Sequence, residues 1–357
     1  MTAARRDALR ARLRAAGLDA LLVTKLVNVR YLTGFTGSAG RLLVTAGDGA
    51  DVLATDGRYL ARAADEAPGL PLIDSRSTEW LRERLTGPRL GVESHVLPWD
   101  AARELDEALP GIDVLPAPEH VETLRQRKDD VELALIERAC AIGDAAFTAL
   151  LGWLAPGMTE REAARRLDAE LADHGADGPA FATVVASGHN GARPHHEPGR
   201  RPLASGDLVT LDFGALVQGY ASDMTRTVAL GPPRPELVAL HALVRDAERA
   251  GVAAVAEDVA AGDVDAACRE RIAAAGHAAD FLHPTGHALG LEIHEAPILR
   301  AGATARLTSR MTVTVEPGVY VAGLGGVRIE DTVVVGPAPG PAGAETLTRA
   351  PRDLLVL

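Results

Sequence analysis

The sequence predicts an α+β protein built as two domains, and three observations carry that prediction. Helix-like and strand-like segments alternate through the first 120 residues. A proline-punctuated stretch, DVLPAPEHV, then reads as a linker. Beyond it, two long helical segments followed by strand-like segments occur twice in succession. A chain of 357 residues has room for this division, at roughly 150 residues per domain. The expected domains are residues 1–120, with a mixed α/β sheet, and residues 121–357.

In the first part, Leu9, Leu13 and Ala16 recur at helical spacing and predict a helix over about Arg5–Ala16. It leads into ALLVT, then NVRYLTGFTGSAG, RLLVT and DVLAT. Helices over Tyr59–Glu66 and about Glu79–Leu85 and a short strand in LGVE complete the pattern. In the second part, Asp129 or Asp130 caps a long helix that ends before Pro156-Gly157. Thr159 with Glu162 forms a capping-box signature for the next helix, which stops near Gly175. Strand-like ATVVAS, LVTLDFGAL and MTRTVAL follow, then helices over Glu236–Val259 and Val264–Ala275. MTVTVEPGVYV and GVRIEDTVVV are the last strand segments. The repeated order suggests an internal duplication of architecture, although no residue-level repeat is visible.

Composition narrows the function. A net charge of −12 argues against a nucleic-acid partner, which a basic patch would mark. No stretch approaches the 18 or so apolar residues of a membrane span. The arginine-bearing N-terminus reads as an amphipathic helix and not as a targeting peptide, since Asp7 interrupts it and no cleavage site follows. Cys140 and Cys268 are too few for a disulfide framework and read as buried free thiols. The expected location is cytoplasmic.

Five metal-capable side chains carry the chemistry. They are Asp212 and Asp223 in LDFGALVQGYASDMTRT, His287 in HPTGHALGLEIHE, Glu316 in VEPGVY and Glu330 in VRIED. Alone, each has an ordinary structural reading; their order and combination are what inform. Four carboxylates and an imidazole suit two divalent cations, which bring about +4 against about −4. Such a pair makes a nucleophile of water and polarises a carbonyl, so the expected function is hydrolysis. Strand periodicity supports the grouping, with Met311, Val313 and Val315 on one face and Thr312, Thr314 and Glu316 on the other. Arg328 and Glu330 likewise share a face opposite Val327 and Ile329. Asp212 with Asp223, and Glu316 with Glu330, are expected to converge across two hairpins. No H-E-x-x-H zincin motif and no phosphate-binding loop is present.

These segments, together with SGHNGARPHH, resemble the pita-bread metallopeptidase family of methionine aminopeptidase, Xaa-Pro aminopeptidase and Xaa-Pro dipeptidase (prolidase). NVRYLTGFTGSAG and TDGRY resemble the creatinase-type N-terminal domain, which methionine aminopeptidases lack. The resemblance implies a peptidase cleaving the Xaa-Pro bond at the N-terminus of peptides or in dipeptides, by attack of a metal-bridging hydroxide. It implies two metal ions, manganese first and cobalt or zinc as alternatives, held by the five residues named, with Asp223 and Glu330 bridging. Glu316 would accept a proton from water, His195 and His294 would flank the substrate, and Arg328 would help to orient it. A peptide substrate with proline second and a homodimer are implied as partners. A metal-free creatinase-like C–N hydrolase and an inactive peptide-binding module on the same fold are the alternatives, and retention of all five ligands disfavours both.

Two positions depart from the family pattern. Ala288 replaces the usual Gly after the metal histidine, adding a methyl near the ligand, and His196-Glu197 replaces the commoner Gly after His195, at the expected pocket rim. Asp56 and Arg58 of TDGRY read as a pair at a strand end before any catalytic role. Trp80 and Trp99 are candidates for the active-site mouth, against the commoner role of tryptophan as a core or interface anchor.

Overall fold

The computed structural model describes residues 2–47, 51–336 and 343–357. The chain forms two compact units, Met1–Arg125 and Gln126–Leu357.

The first unit is organised on a six-stranded mixed sheet. Its strands are β1 (Ala20–Val23), β2 (Arg41–Thr45), β3 (Val52–Thr55), β4 (Leu72–Asp74), β5 (Arg89–Val92) and β6 (Asp113–Pro116). The order is β4-β3-β2-β1-β5-β6, parallel at both flanks and antiparallel through β1, β2 and β3. Helices α1 (Thr2–Ala15), α2 (Leu26–Thr33), α3 (Leu60–Glu66), α4 (Leu81–Arg84), α5 (Trp99–Ala108) and α6 (His120–Arg125) connect and cover it. Leu9 and Leu13 of α1 are fully buried, as their spacing predicts. The stretch expected as linker is instead structured: Asp113–Pro116 pairs as the edge strand β6, and α6 follows. An edge strand tolerates Pro116 because its outer side needs no donor. Asp56 and Arg58 form a two-pronged pair, with Nε to Oδ1 and Nη2 to Oδ2 both at 2.8 Å. Trp80 packs in this unit's core, while Trp99 is 77% exposed.

The second unit contains the duplication. Its first half runs α7 (Asp130–Leu151), α8 (Glu160–Asp173), β7 (Gly178–Pro179), β8 (Val184–Ser187), β9 (Leu208–Phe213), β10 (Ala215–Val217), β11 (Tyr220–Ala221) and β12 (Met224–Ala229). Its second half runs α9 (Pro235–Ala254), α10 (Ala261–Ala274), β13 (Gly286–Ala288), β14 (Glu295–Leu299), β15 (Thr312–Val315), β16 (Gly318–Val321), β17 (Gly325–Arg328), β18 (Asp331–Val335) and β19 (Ala344–Thr346). Both halves build antiparallel sheets, one ordered β12-β9-β8 and the other containing β13-β15-β18. The N-caps of α8 and α10 make matching antiparallel bridges, Thr159 with Pro202 and Ala260 with Arg306, at the same remove before β9 and β15.

Local chemistry explains the helix starts. Asp129 and Glu132 close a capping box on α7, and Thr159 and Glu162 close one on α8. Pro235 occupies the first turn of α9, where a missing N–H costs nothing. The faces forecast for the last strands hold: Met311, Val313, Val315, Val327 and Ile329 all enter one apolar core with α9 and α10. MTVTVEPGVYV does not run as one strand, because it breaks at Glu316-Pro317 into β15 and β16, which join different sheets. Both cysteines are free and buried. Among the described residues no helix is long and apolar enough to cross a membrane.

Candidate metal centre

Each half of the duplication delivers one carboxylate pair from equivalent positions. Asp212 lies within β9, opposite Thr225 of β12, and Asp223 directly precedes β12. Glu316 directly follows β15, and Glu330 directly precedes β18. β16 and β17 form the intervening hairpin, with Gly318 opposite Arg328. The halves are tied at the carboxylate-bearing residues themselves: the Glu330 N–H donates to the Thr225 carbonyl at 3.1 Å, and the Thr332 hydroxyl donates to the Asp223 carbonyl at 2.8 Å.

His287 comes from β13, where the register against β14 shifts between His287 and Ala288. Such an irregularity re-aims a side chain. Gly286 beside it is required, since a Cβ there would stand 2.0 Å from the Thr314 carbonyl oxygen. Nδ1 of His287 donates to the Ala288 carbonyl at 3.1 Å, leaving the Nε2 lone pair directed at the carboxylates. Nε2 lies 3.4 Å from Glu316 Oε1 and 3.6 Å from Asp223 Oδ2. Burial, reinforced by His294, pushes the imidazole down to about 4, so it is neutral at pH 7.

Asp223, His287 and Glu330 can each bring a ligand atom within 4.8 Å of the others. Asp212 lines the same cavity, but its Oδ2 is 2.5 Å from Arg328 Nη2. The donor set fits divalent cations on electrostatic grounds. Burial is the largest cause raising the carboxyls of Asp223, Glu316 and Glu330, and repulsion from neighbouring carboxylates adds to it. Glu316 rises to about 8. A buried group of carboxylates facing a neutral imidazole, with Arg328 as its guanidinium, lacks the positive charge needed to ionise fully, and two divalent ions would provide it.

The cavity over this cluster measures about 480 Å³. His195 and His294 are exposed residues lining it, and the His294 ring meets His287 edge-on at 4.4 Å between centroids. Phe181, Pro194, Ile293 and Ile298 give it an apolar wall. Arg328 is buried and fully engaged, donating to Asp212, to the Thr225 hydroxyl at 3.1 Å, to the Tyr320 hydroxyl at 2.7 Å and to the Pro194 carbonyl at 3.3 Å.

Both departures from the family pattern lie away from the cavity. Ala288 is fully buried in the apolar core, where it pairs with Val313 of β15. His196 is absent from the cavity lining and bonds Glu160 instead.

Sequence reasoning missed a polar relay at the site, which begins at His283 in the cavity lining. His283 Nδ1 donates to the Pro284 carbonyl at 2.8 Å, so its Nε2 accepts from the Tyr320 hydroxyl at 2.8 Å, which in turn accepts from Arg328. Burial lowers His283 to about 4 and raises Tyr320 to about 12, keeping both neutral. The signals were in plain view, a second histidine four residues before His287 and a tyrosine four after Glu316.

Comparison with known proteins agrees with this architecture. Residues 134–337 match metallopeptidase family M24, and residues 5–127 match the creatinase/prolidase N-terminal domain. An uncharacterised peptidase of Bacillus subtilis, YqhT, is 39% identical, covering 96% of both chains. An Xaa-Pro dipeptidase of Pyrococcus horikoshii is 32% identical, covering 95% of both. The solved Xaa-Pro dipeptidase of Bacillus anthracis superposes with a TM-score of 0.95 at 34% identity, covering 100% of both chains. The X-Pro aminopeptidase of Thermotoga maritima gives 0.88 at 30% identity, covering 96% of this chain and 99% of its own. With a creatinase-type first domain and a pita-bread second domain, the chain belongs to metallopeptidase family M24.

Proposed function

We propose that the chain is an exopeptidase hydrolysing the bond before proline, at the N-terminus of peptides with proline second or in Xaa-Pro dipeptides. The observation that carries this reading is the convergence of buried carboxylates on a neutral, lone-pair-bearing His287, beneath a cavity rimmed by two exposed histidines. The proline preference draws on relatives named Xaa-Pro dipeptidase, and the apolar wall of Phe181, Ile293 and Ile298 suits a pyrrolidine ring.

Asp212, Asp223, His287, Glu316 and Glu330 would hold two divalent ions, which supply an activated water and polarise the scissile carbonyl. A donor set rich in carboxylates favours manganese, with cobalt or zinc as alternatives. Glu316, whose carboxyl burial raises to about 8, would ionise once cations are held beside it and then accept a proton from the attacking water. Arg328 fixes the Asp212 carboxylate. His195 and His294 hold the peptide at the rim and return a proton to the prolyl nitrogen as it leaves. From the family resemblance we infer a homodimer, and from the two free thiols a cytoplasmic enzyme.

Hydrolysis of X-Pro dipeptides and X-Pro-Y tripeptides, after chelation and re-addition of manganese, cobalt or zinc, tests the reading. Metal-restored cleavage before proline is expected. Binding of two metals with no such cleavage would discard the proline specificity, and no metal binding would discard the centre.

A further inference from the structure

His195 and His196 are sequence neighbours with opposite surroundings. His195 is exposed and faces the cavity. The His196 Nε2 instead donates at 2.8 Å to Oε2 of Glu160, the first residue of α8 and wholly buried. Glu160 Oε2 also accepts from the Gly199 N–H at 3.2 Å. Its Oε1 accepts from the Ser187 N–H at 2.9 Å, the Ser187 hydroxyl at 2.7 Å and the Asn190 amide at 3.0 Å. Burial alone would raise this carboxyl, but the donors of Asn190, His196 and Ser187 bring it below its ordinary value.

All five donors belong to one segment, residues 187–199, so a single buried anion gathers the whole loop. The two strands of the gathering are unequal. Ser187 and Asn190 fix the entry, where the loop is also seated so closely on β17 that a Cβ on Gly326 would stand 2.1 Å from the Gly191 carbonyl oxygen. Gly199 fixes the exit, where the Arg161 N–H returns a bond to the Gly199 carbonyl at 3.0 Å. Between these feet, His196 is the side chain that grips Glu160 next to His195. The backbone on the other side of His195 is steadied by Arg328, which donates to the Pro194 carbonyl at 3.3 Å.

We propose that Glu160 and His196 are positioning residues: the His196–Glu160 bond sets the crest of the 187–199 loop so that the His195 side chain faces the substrate. This rests on the reading above that His195 meets the peptide. The residue following His195 is thus an anchor, and its effect on substrate is exerted through its neighbour.

A double-mutant cycle between His195 and His196 tests this. His196→Ala should lower kcat/KM for an X-Pro dipeptide about tenfold with metal content unchanged. His196→Gln should recover most of it, because the glutamine amide carries an N–H about where Nε2 stood. In a His195→Ala background, removing His196 should add less than about twofold. Should His196→Ala not fold, His196→Asn, whose shorter amide stops short of Glu160, takes its place. A second readout needs no turnover: in zinc-loaded protein with ¹⁵N-labelled histidine, the His195 ring resonances should move in His196→Ala and return in His196→Gln. Fully additive losses, or unmoved His195 resonances, would overturn the proposal. If the wild type cleaves no X-Pro peptide, the functional reading fails while the ring resonances still decide the positioning.

Discussion

A carboxylate at position 223 is buried, adjoins His287 and is crowded by Glu330, Asp212 and Glu316. Replacing it with an amide of the same shape removes the charge that a cation needs, and the fold loses nothing that depended on that charge. Asp223→Asn is therefore expected to reduce turnover at least about 10³-fold and weaken metal retention. Its metal-free stability should stay within about 1 kcal/mol of wild type. Metal stoichiometry after gel filtration, with a urea melt, checks both halves. Ala288 makes the opposite case. Its methyl sits in the core and not over the ligand, so Ala288→Gly should destabilise the chain by about 1 kcal/mol and leave metal affinity unchanged. A change in affinity with no change in stability would place the methyl on the wrong face.

At the scale of elements, α9 illustrates how burial writes a pH dependence. His241 on this helix is buried, and burial lowers it to about 4 although a Thr227 backbone group hydrogen-bonds it. Arg245 and Asp353 are the charged groups that act on it. Above pH 6.5 the ring is neutral folded or unfolded and contributes no slope. As pH falls from 6.5 towards 4 the unfolded chain takes up a proton that the folded chain refuses, so stability drops by up to about 3 kcal/mol. His241→Gln should flatten that limb, read as the difference between urea midpoints at pH 5 and pH 7 compared with wild type. The capping box of α8 was legible because its chemistry spans three residues, whereas for α7 the sequence offered Asp129 or Asp130 and the structure selects Asp129. Helix α2 in NVRYLT was not legible, since its β-branched and aromatic residues carry no helical signature and their burial decides the outcome. Helix α5, with Leu105 buried, offers a similarly short apolar stripe.

Across the whole second unit, Arg226 joins what the sequence keeps apart. It is fully buried and donates to the Thr225 carbonyl at 2.9 Å, the Asp331 carboxylate at 2.7 Å and the Ala350 carbonyl at 2.8 Å. It also donates to the carbonyl of Glu330 at 2.5 Å. Arg352 and the Thr348 hydroxyl bond Asp331 as well. Arg226→Met leaves Asp331 to Arg352 and Thr348 alone and takes the donor from the buried Glu330 and Ala350 carbonyls, and should cost about 3 kcal/mol or more, with metal affinity falling in step. A denaturant melt and a metal titration on one preparation check whether the two move together. That the five candidate residues line one cavity was legible, because acidic residues interrupting apolar strands are costly without a purpose. Arg226, Glu160 and the Tyr320–His283 relay were not, because their partners lie far along the chain and only the fold brings them together.

The reciprocal bonds between the two halves, Glu330 to Thr225 and Thr332 to Asp223, carry a temporal meaning. Neither half owns the cluster; each owns part of it. On the ribosome Asp212 and Asp223 emerge long before His287, Glu316 and Glu330, so the group that could hold a cation, drawn from both halves, comes together only after the last strands have been made.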